Sequence, residues 1–256
     1  MNFNHVLLLT FIIGSRAFAQ AGQQGQFVTT ITSGSHVTAT KCGLFKDDRD
    51  EIMVASGTAF LMESNGKPLL ITAAHCVVLS KTQVADITKC ESAQVEMGEI
   101  RISRFALKPI RILLDVDNDI AVIELTADDI KLLNLRPLKY KEQKFPIDAK
   151  VWGFPFKQEN GIVGSVQVGT PDIRKATITD INPQTVTVSV DVGETGSGYS
   201  GGPMVVGDDE VVAVTLVNVA AQKNNNQTRG CNMKHVEALL AAFETKATKY
   251  SDPPIK

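Results

Sequence analysis

Gly198-Tyr199-Ser200-Gly201-Gly202-Pro203 is the stretch whose residue types point most directly to chemistry. A serine flanked by glycines and closed by proline suits neither a helix nor a central strand. It suits a tight turn that presents a hydroxyl with backbone N–H groups beside it, so Ser200 is a candidate nucleophile next to an oxyanion-binding site. A serine hydroxyl needs a positioned base, and beyond the first nineteen residues the chain offers His36, His75 and His235. His235 opens a predicted terminal helix and reads as a surface residue; His36 lies in a Ser/Gly/Thr-rich stretch with no partner signal. His75 ends the run Leu69-Leu70-Ile71-Thr72-Ala73-Ala74, a buried strand that would mount a fixed imidazole. The base in turn needs a carboxylate on its other ring nitrogen. Asp115, Asp117 and Asp119 all precede Ile120-Ala121-Val122-Ile123. Asp119 directly abuts the strand and is the best held, which leaves Asp115 and Asp117 as exposed turn residues. Taken singly, these are a glycine turn, a strand-end histidine and a turn acid; their combination carries the reading.

The elements that must position these residues are short strands. Phe27 to Ile31, Glu51 to Met62, Pro68 to Thr72, Gln94 to Ile102, Ile110 to Leu114 and Ile120 to Leu125 form one set, with an Asn65-Gly66 hairpin signal inside it. Thr126-Ala127-Asp128-Asp129 before Ile130-Lys131-Leu132-Leu133 predicts a capped short helix. A second set comprises Val151 to Gly153, Gly161 to Val168, Ala176 to Ile181, Thr185 to Val192 and Val211 to Val219. Lys234 to Thr245 then spaces Val236, Leu239, Leu240 and Phe243 on one helical face. The expected fold is all-β, two antiparallel β-barrels with a C-terminal α-helix, closure removing the sheet edges; a single large sandwich fits the pattern too. Barrel 1 is placed at about 26–135, a linker at 136–147, barrel 2 at about 148–232 and the helix at about 234–246.

Composition limits the function classes. The 256 residues are 43% hydrophobic and 21% charged with a formal net charge of −2, so nothing draws the chain globally toward nucleic acid or an anionic membrane. Basic residues at Arg101, Arg104, Lys108 and Arg111, and at Lys139, Lys141 and Lys144, read as solvated faces. Residues 1–19 read as a signal peptide: an apolar run from Val6 to Gly14, then Ala17-Phe18-Ala19 at a cleavage site, although Arg16 is its only Lys or Arg. That predicts a secreted protein, extracellular or periplasmic, whose mature unit covers 20–256. Export would let disulfides persist; four cysteines allow three connectivities, of which Cys76–Cys90, closing a short loop, together with Cys42–Cys231 is the preferred one.

Thr72-Ala73-Ala74-His75-Cys76, Asp119-Ile120-Ala121-Val122 and Gly198-Tyr199-Ser200-Gly201-Gly202-Pro203 together resemble the trypsin/chymotrypsin-like serine peptidase family, in its order and with similar separations over roughly residues 52–232. Ser56-Gly57-Thr58-Ala59-Phe60-Leu61 and Val151-Trp152-Gly153-Phe154-Pro155 are similar to runs in the bacterial secreted branches, glutamyl-endopeptidase-like or stress-protease-like. The resemblance implies two six-stranded barrels with the site between them, His75 as base, Asp119 as orienter, Ser200 as nucleophile, and the N–H groups of Gly198 and Ser200 as oxyanion hole. It implies a polypeptide substrate, with Glu194 at the position of a pocket-floor acid and Thr215, Leu216, Val217 and Asn218 as a pocket wall. Tyr199 stands where digestive members carry an acid that pairs with a newly cut N-terminus, and Cys76 lacks the family's usual partner. No metal, cofactor, nucleic-acid or membrane requirement is expected, and the protein is read as a monomer.

Two other readings fit part of this residue set. G-x-S-x-G also opens the α/β-hydrolase elbow, but Pro203 and the strand-rich Met204 to Val219 oppose the helix that fold needs. A peptidase-fold binding protein without turnover differs from an enzyme by losing a triad member, and here all three residue types stand.

Overall fold

The computed structural model describes residues 27–42, 47–79, 89–103, 105–155, 158–159, 162–163, 170–180, 182, 184–190, 198–216 and 227–249. The N-terminal strands are β1 (Val28–Cys42), β2 (Asp47–Ser64), β3 (Lys67–Ala73), β4 (Ser92–Ile102), β5 (Phe105–Ala106), β6 (Arg111–Asp115) and β7 (Ile120–Glu124). Helix α1 (Ala127–Leu133) follows, its first turn capped by the Thr126 side chain accepting from Asp129 N–H. Then come β8 (Lys139–Tyr140), β9 (Ile147–Gly153), the hairpin β10 (Gln158–Glu159) and β11 (Ile162–Val163), β12 (Asp172–Asp180), β13 (Thr185–Val190), β14 (Pro203–Val206), β15 (Glu210–Thr215) and β16 (Gln227–Asn232). Helix α2 (Met233–Lys246) and β17 (Thr248–Lys249) complete the order.

The strands fall into two sheets. The second runs β14-β9-β12-β13-β16-β15, and β15 pairs back onto β14, closing a six-stranded barrel with β8 added in parallel on β15. The first runs β17-β6-β7-β3-β2-β1-β4-β5 and is open among the described residues. Two closed barrels were expected, and one is found. The outer edge of β6, on the open side of the order, is occupied instead by β17, with Thr248 opposite Ile112 and Lys249 opposite Arg111.

Alternation along the strands decides where the cores sit. In β13, Val186 and Val188 point into the closed barrel with Val151, Ile178 and Tyr199. Strand β7 is buried at four consecutive residues because both its faces are covered. Ala121 and Ile123 fill the first sheet, whereas Ile120 and Val122 face a core between the two sheets. Helix α2 joins that shared core through Met233, Val236, Leu240 and Phe243, a spacing of three, four and three residues that keeps one face inward. Burying a side chain of that size contributes about 2–3 kcal/mol, so the helix holds the two sheets together.

The cysteine pairing differs from both expected bridges. Cys42 is bonded to Cys90, while Cys76 and Cys231 are buried free thiols. The register explains this: β1 pairs with β4 as far as Thr40 opposite Ser92, and Glu91 N–H donates to Thr40 C=O, which brings Cys90 beside Cys42. Cys76 sits under the end of β3 against Gly57, and Cys231, on a barrel strand between Thr185 and Val214, packs in the core between the two sheets. The Cys42–Cys90 bond spans 48 positions, so Cys42→Ser should lower stability by about 2–4 kcal/mol in chemical denaturation. Peptide mapping without reduction should recover that bridge alone.

Candidate active site

Strand β3 runs its apolar residues to Ala73, and the chain then turns through a short 3-10 segment, Ala74–Cys76, that carries His75. Pairing of Ala73 with Ile120 sets Asp119, the residue before β7, alongside this turn. Asp119 holds its neighbour three times. Its C=O accepts from Ala74 N–H at 3.0 Å, one carboxylate oxygen accepts from His75 N–H at 2.9 Å, and the other lies 2.7 Å from His75 Nδ1. An ionised carboxylate only accepts, so Nδ1 carries the proton and Nε2 is left as the basic nitrogen. Asp119 makes this hold from a left-handed conformation, φ 57°. Burial opposes a charge on His75, but the hydrogen bond it donates to Asp119 outweighs it, and the imidazole keeps its proton to higher pH than a free histidine.

Ser200 is buried and comes from the other sheet. Its turn is fastened from both sides. On the closed-barrel side, Gly201 N–H donates to Thr215 C=O at 2.7 Å and Thr215 N–H to Gly202 C=O at 2.8 Å. From the first sheet, Thr58 N–H donates to Ser200 C=O at 2.7 Å and the Thr58 hydroxyl to Gly198 C=O at 2.7 Å. The same hydroxyl accepts from Phe154 N–H, and Thr58 C=O accepts from the Thr72 hydroxyl on the histidine's own strand. A β-carbon on Gly201 would lie 2.3 Å from both Thr58 O and Thr72 Oγ1, and Gly201 has φ 82°. Glycine is required there on two counts.

Tyr199 has a definite partner set. Its ring is buried in the closed barrel against Gly153, its hydroxyl donates to Asp172 in a very short contact, and Arg174 Nε donates to the hydroxyl at 3.2 Å. Burial and then the Asp172 carboxylate push the phenol up to about 12. Asp172 is lowered: burial would raise it, but the hydrogen bonds from Tyr199 and Arg174 prevail. The residue between the two candidate oxyanion donors is thus moored to a surface ion pair. Thr58, Asp172 and Arg174 carry no local signal for these roles in the sequence.

Several sequence assignments change. Asp115 is not an exposed turn acid: its carboxylate accepts from Asn118 N–H at 3.1 Å, Asn118 Nδ2 at 2.8 Å and His235 Nε2 at 2.6 Å, and its side chain is 17% exposed. His235, expected on the helix surface, is therefore largely buried and paired. His36 lies 2.6 Å from exposed Asp50. Thr215 is buried beneath the Ser200 turn, and Leu216 N–H donates to Arg229 C=O. Glu194, Val217 and Asn218 lie outside the described residues.

A family model described as Trypsin matches residues 50–236. Among solved structures the chain is similar to the active form of the Rv3671c protease from M. tuberculosis, at 16% identity over 89% of this chain and 83% of that one, TM-score 0.50. It is also similar to the thermostable serine protease AL20 from an extremophilic microorganism, at 12% identity over 86% of this chain and 98% of that one, TM-score 0.53. The HtrA-type protease AlgW with decapeptide matches at 15% identity over 86% of this chain and 65% of that one, TM-score 0.50. At these identities the likeness is one of fold. No curated protein matches the chain.

The turn geometry separates two glycines. Gly201→Ala should cost about 2–4 kcal/mol, because clash adds to backbone strain. Gly207→Ala, at φ 62° with no atom within 4 Å of the added carbon, should cost only about 1–2 kcal/mol. Denaturant midpoints of the two variants check the difference.

Proposed function

The chain belongs to the trypsin family of serine-type endopeptidases, and we propose that it hydrolyses peptide bonds through Ser200, His75 and Asp119. The observation that supports this most is the double hold of Asp119 on the backbone and ring of His75, which fixes the tautomer a general base needs. In this reading Ser200 Oγ attacks the scissile carbonyl carbon while its proton passes to His75 Nε2. Asp119 stabilises the imidazolium, and the N–H groups of Gly198 and Ser200 receive the oxyanion. The imidazolium then protonates the leaving amine as the C–N bond breaks, giving an acyl-enzyme. Water, deprotonated by the same imidazole, attacks the ester and restores the serine.

The substrate is an extended polypeptide. Glu194 and a wall of Leu216, Val217 and Asn218 would set side-chain preference, a carboxylate at Glu194 favouring Arg or Lys, while Thr215 is buried under the Ser200 turn and supports that wall from behind. Cleavage profiling on a mixed peptide library should show that preference in the wild type and its loss in Glu194→Ala. Residues 1–19 act as an export signal in this reading, and the Cys42–Cys90 disulfide fits an oxidising compartment. No helix among the described residues is long and apolar enough to cross a membrane.

A fluorophosphonate probe should label the wild type, whereas Ser200→Ala and His75→Ala should abolish labelling and lower turnover on the order of 10⁶-fold. A folded wild type that does not label would instead be a binding protein without turnover. Asp119→Asn should lower turnover about 10⁴-fold with the fold preserved. Because the base works only when neutral and Asp119 raises its pKa, kcat/KM should rise with pH through a midpoint above about 6.5, the free-histidine value. In Asp119→Asn the remaining activity should have its midpoint moved to lower pH, since burial then acts without the opposing carboxylate.

A further inference from the structure

The turn that carries Asp119 is held from outside its own sheet. Strand β6 ends at Asp115, and four residues later the chain must present Asp119 in the left-handed region. That conformation costs an L-residue about 1–2 kcal/mol and persists where its surroundings over-determine it. Asp115 supplies the first constraint by accepting two hydrogen bonds from Asn118, the residue before Asp119. The third bond to Asp115 comes from His235 Nε2, 120 positions away in the chain.

His235 is itself rigidly mounted. It lies in the first turn of α2, whose N-terminus is capped by Asn232 accepting from Lys234 N–H. The preceding strand, β16, is a member of the closed barrel, with Cys231 opposite both Thr185 and Val214. The neighbours Met233 and Val236 are fully buried in the core between the sheets. Asp115 and Asp119 converge on this point from the other sheet. Burial, followed by the charges of these two carboxylates, pushes the Cys231 thiol up to about 12. His235 thus sits on the helix that continues directly from β16 of the closed barrel, and it grips the turn that carries Asp119.

We propose that His235 is a positioning residue for the triad: acting through Asp115 and Asn118, it fixes the turn that presents Asp119 and keys that turn to the barrel bearing Ser200. This rests on the reading of Asp119, His75 and Ser200 as a triad. His235 touches no substrate atom and takes no part in proton transfer. Its contribution is geometric, and a small displacement of a catalytic group has a large effect on rate.

The same helix provides an internal control. Glu244, near its other end, pairs with Lys67 at 2.8 Å and Arg111 at 3.1 Å, both on the first sheet but away from the acid turn. Glu244→Ala should lower the thermal midpoint and leave kcat unchanged. His235→Leu, which removes the donor, should lower kcat by about 10- to 100-fold with KM unchanged. His235→Gln, whose amide nitrogen can take the place of Nε2, should restore most of that loss. If His235→Leu fails to fold, His235→Asn, whose amide stops short of Asp115, takes its place in the comparison. Wild-type kcat in the donor-less variant overturns the proposal, whatever its thermal midpoint. So does a His235→Gln variant as impaired as His235→Leu. The proton resonance of His75 Nδ1 separates this proposal from the triad reading. Absence of fluorophosphonate labelling in the wild type would defeat the triad, while a Nδ1 resonance shifted in His235→Leu and restored in His235→Gln would still establish the positioning. An unchanged resonance would defeat it.

Discussion

The two sheets meet backbone to backbone at Thr58, and the rest of the site depends on that approach. Every polar group of this fully buried residue is engaged: N–H to Ser200, hydroxyl to Gly198 and from Phe154, C=O from Thr72. An unpaired polar atom at such a depth costs about 1–3 kcal/mol, so these bonds define one arrangement of the sheets rather than adding to many. The contact tolerates no bulk. A β-carbon at Gly57 would lie 2.4 Å from Ser200 O, and one at Gly201 2.3 Å from Thr58 O. Glycines in this chain are therefore spacers between sheets as much as turn formers.

Charge in the site is distributed on the same economy. Asp115 and Asp119 flank one turn, close enough that both act on Cys231, yet each has its own histidine and its own backbone donor. Two carboxylates in a partly buried place would repel one another and favour protonation of one. Hydrogen bonds to the charged form hold Asp115 below the usual carboxylate range, even though burial alone would raise it. On the other side of Ser200, Asp172 is kept low in the same manner by Tyr199 and Arg174. Fixed donors thus lower both Asp115 and Asp172 against the opposing effect of burial.

What the sequence made legible was local. The two-residue alternation in β13, the capped start of α1 and the apolar face of α2 are written within windows of a dozen residues, and the structure follows them. The proximity of Asp119 to His75 was legible because both abut strands that pair with each other. The unread features all depend on residues brought together by closure. Cys42 reaches Cys90 through the length of the β1–β4 ladder, which the cysteine spacing does not encode. Among the described residues the first sheet is open, with β17 on the outer edge of β6, and a two-residue strand has no period to detect. His235 gave a surface reading because its helix is amphipathic, and nothing nearby aims it at Asp115. The spacing of Asp115 to Asn118 was the one available hint, since an acid that binds an N–H three positions on is turn chemistry.

The clamp formed by α2 and β17 also bears on when the molecule becomes what it is. Strands β1 to β7 can pair as soon as they leave the ribosome, but the bonds from His235 to Asp115 and from Thr248 to Ile112 span 120 and 136 positions. At a synthesis rate of about 5–20 residues per second, the acid turn waits on the order of ten seconds for its seat. Through that interval the histidine and its carboxylate lie on a sheet still lacking its partner barrel. Under the peptidase reading, the seat of the acid turn is complete only once α2 has been made.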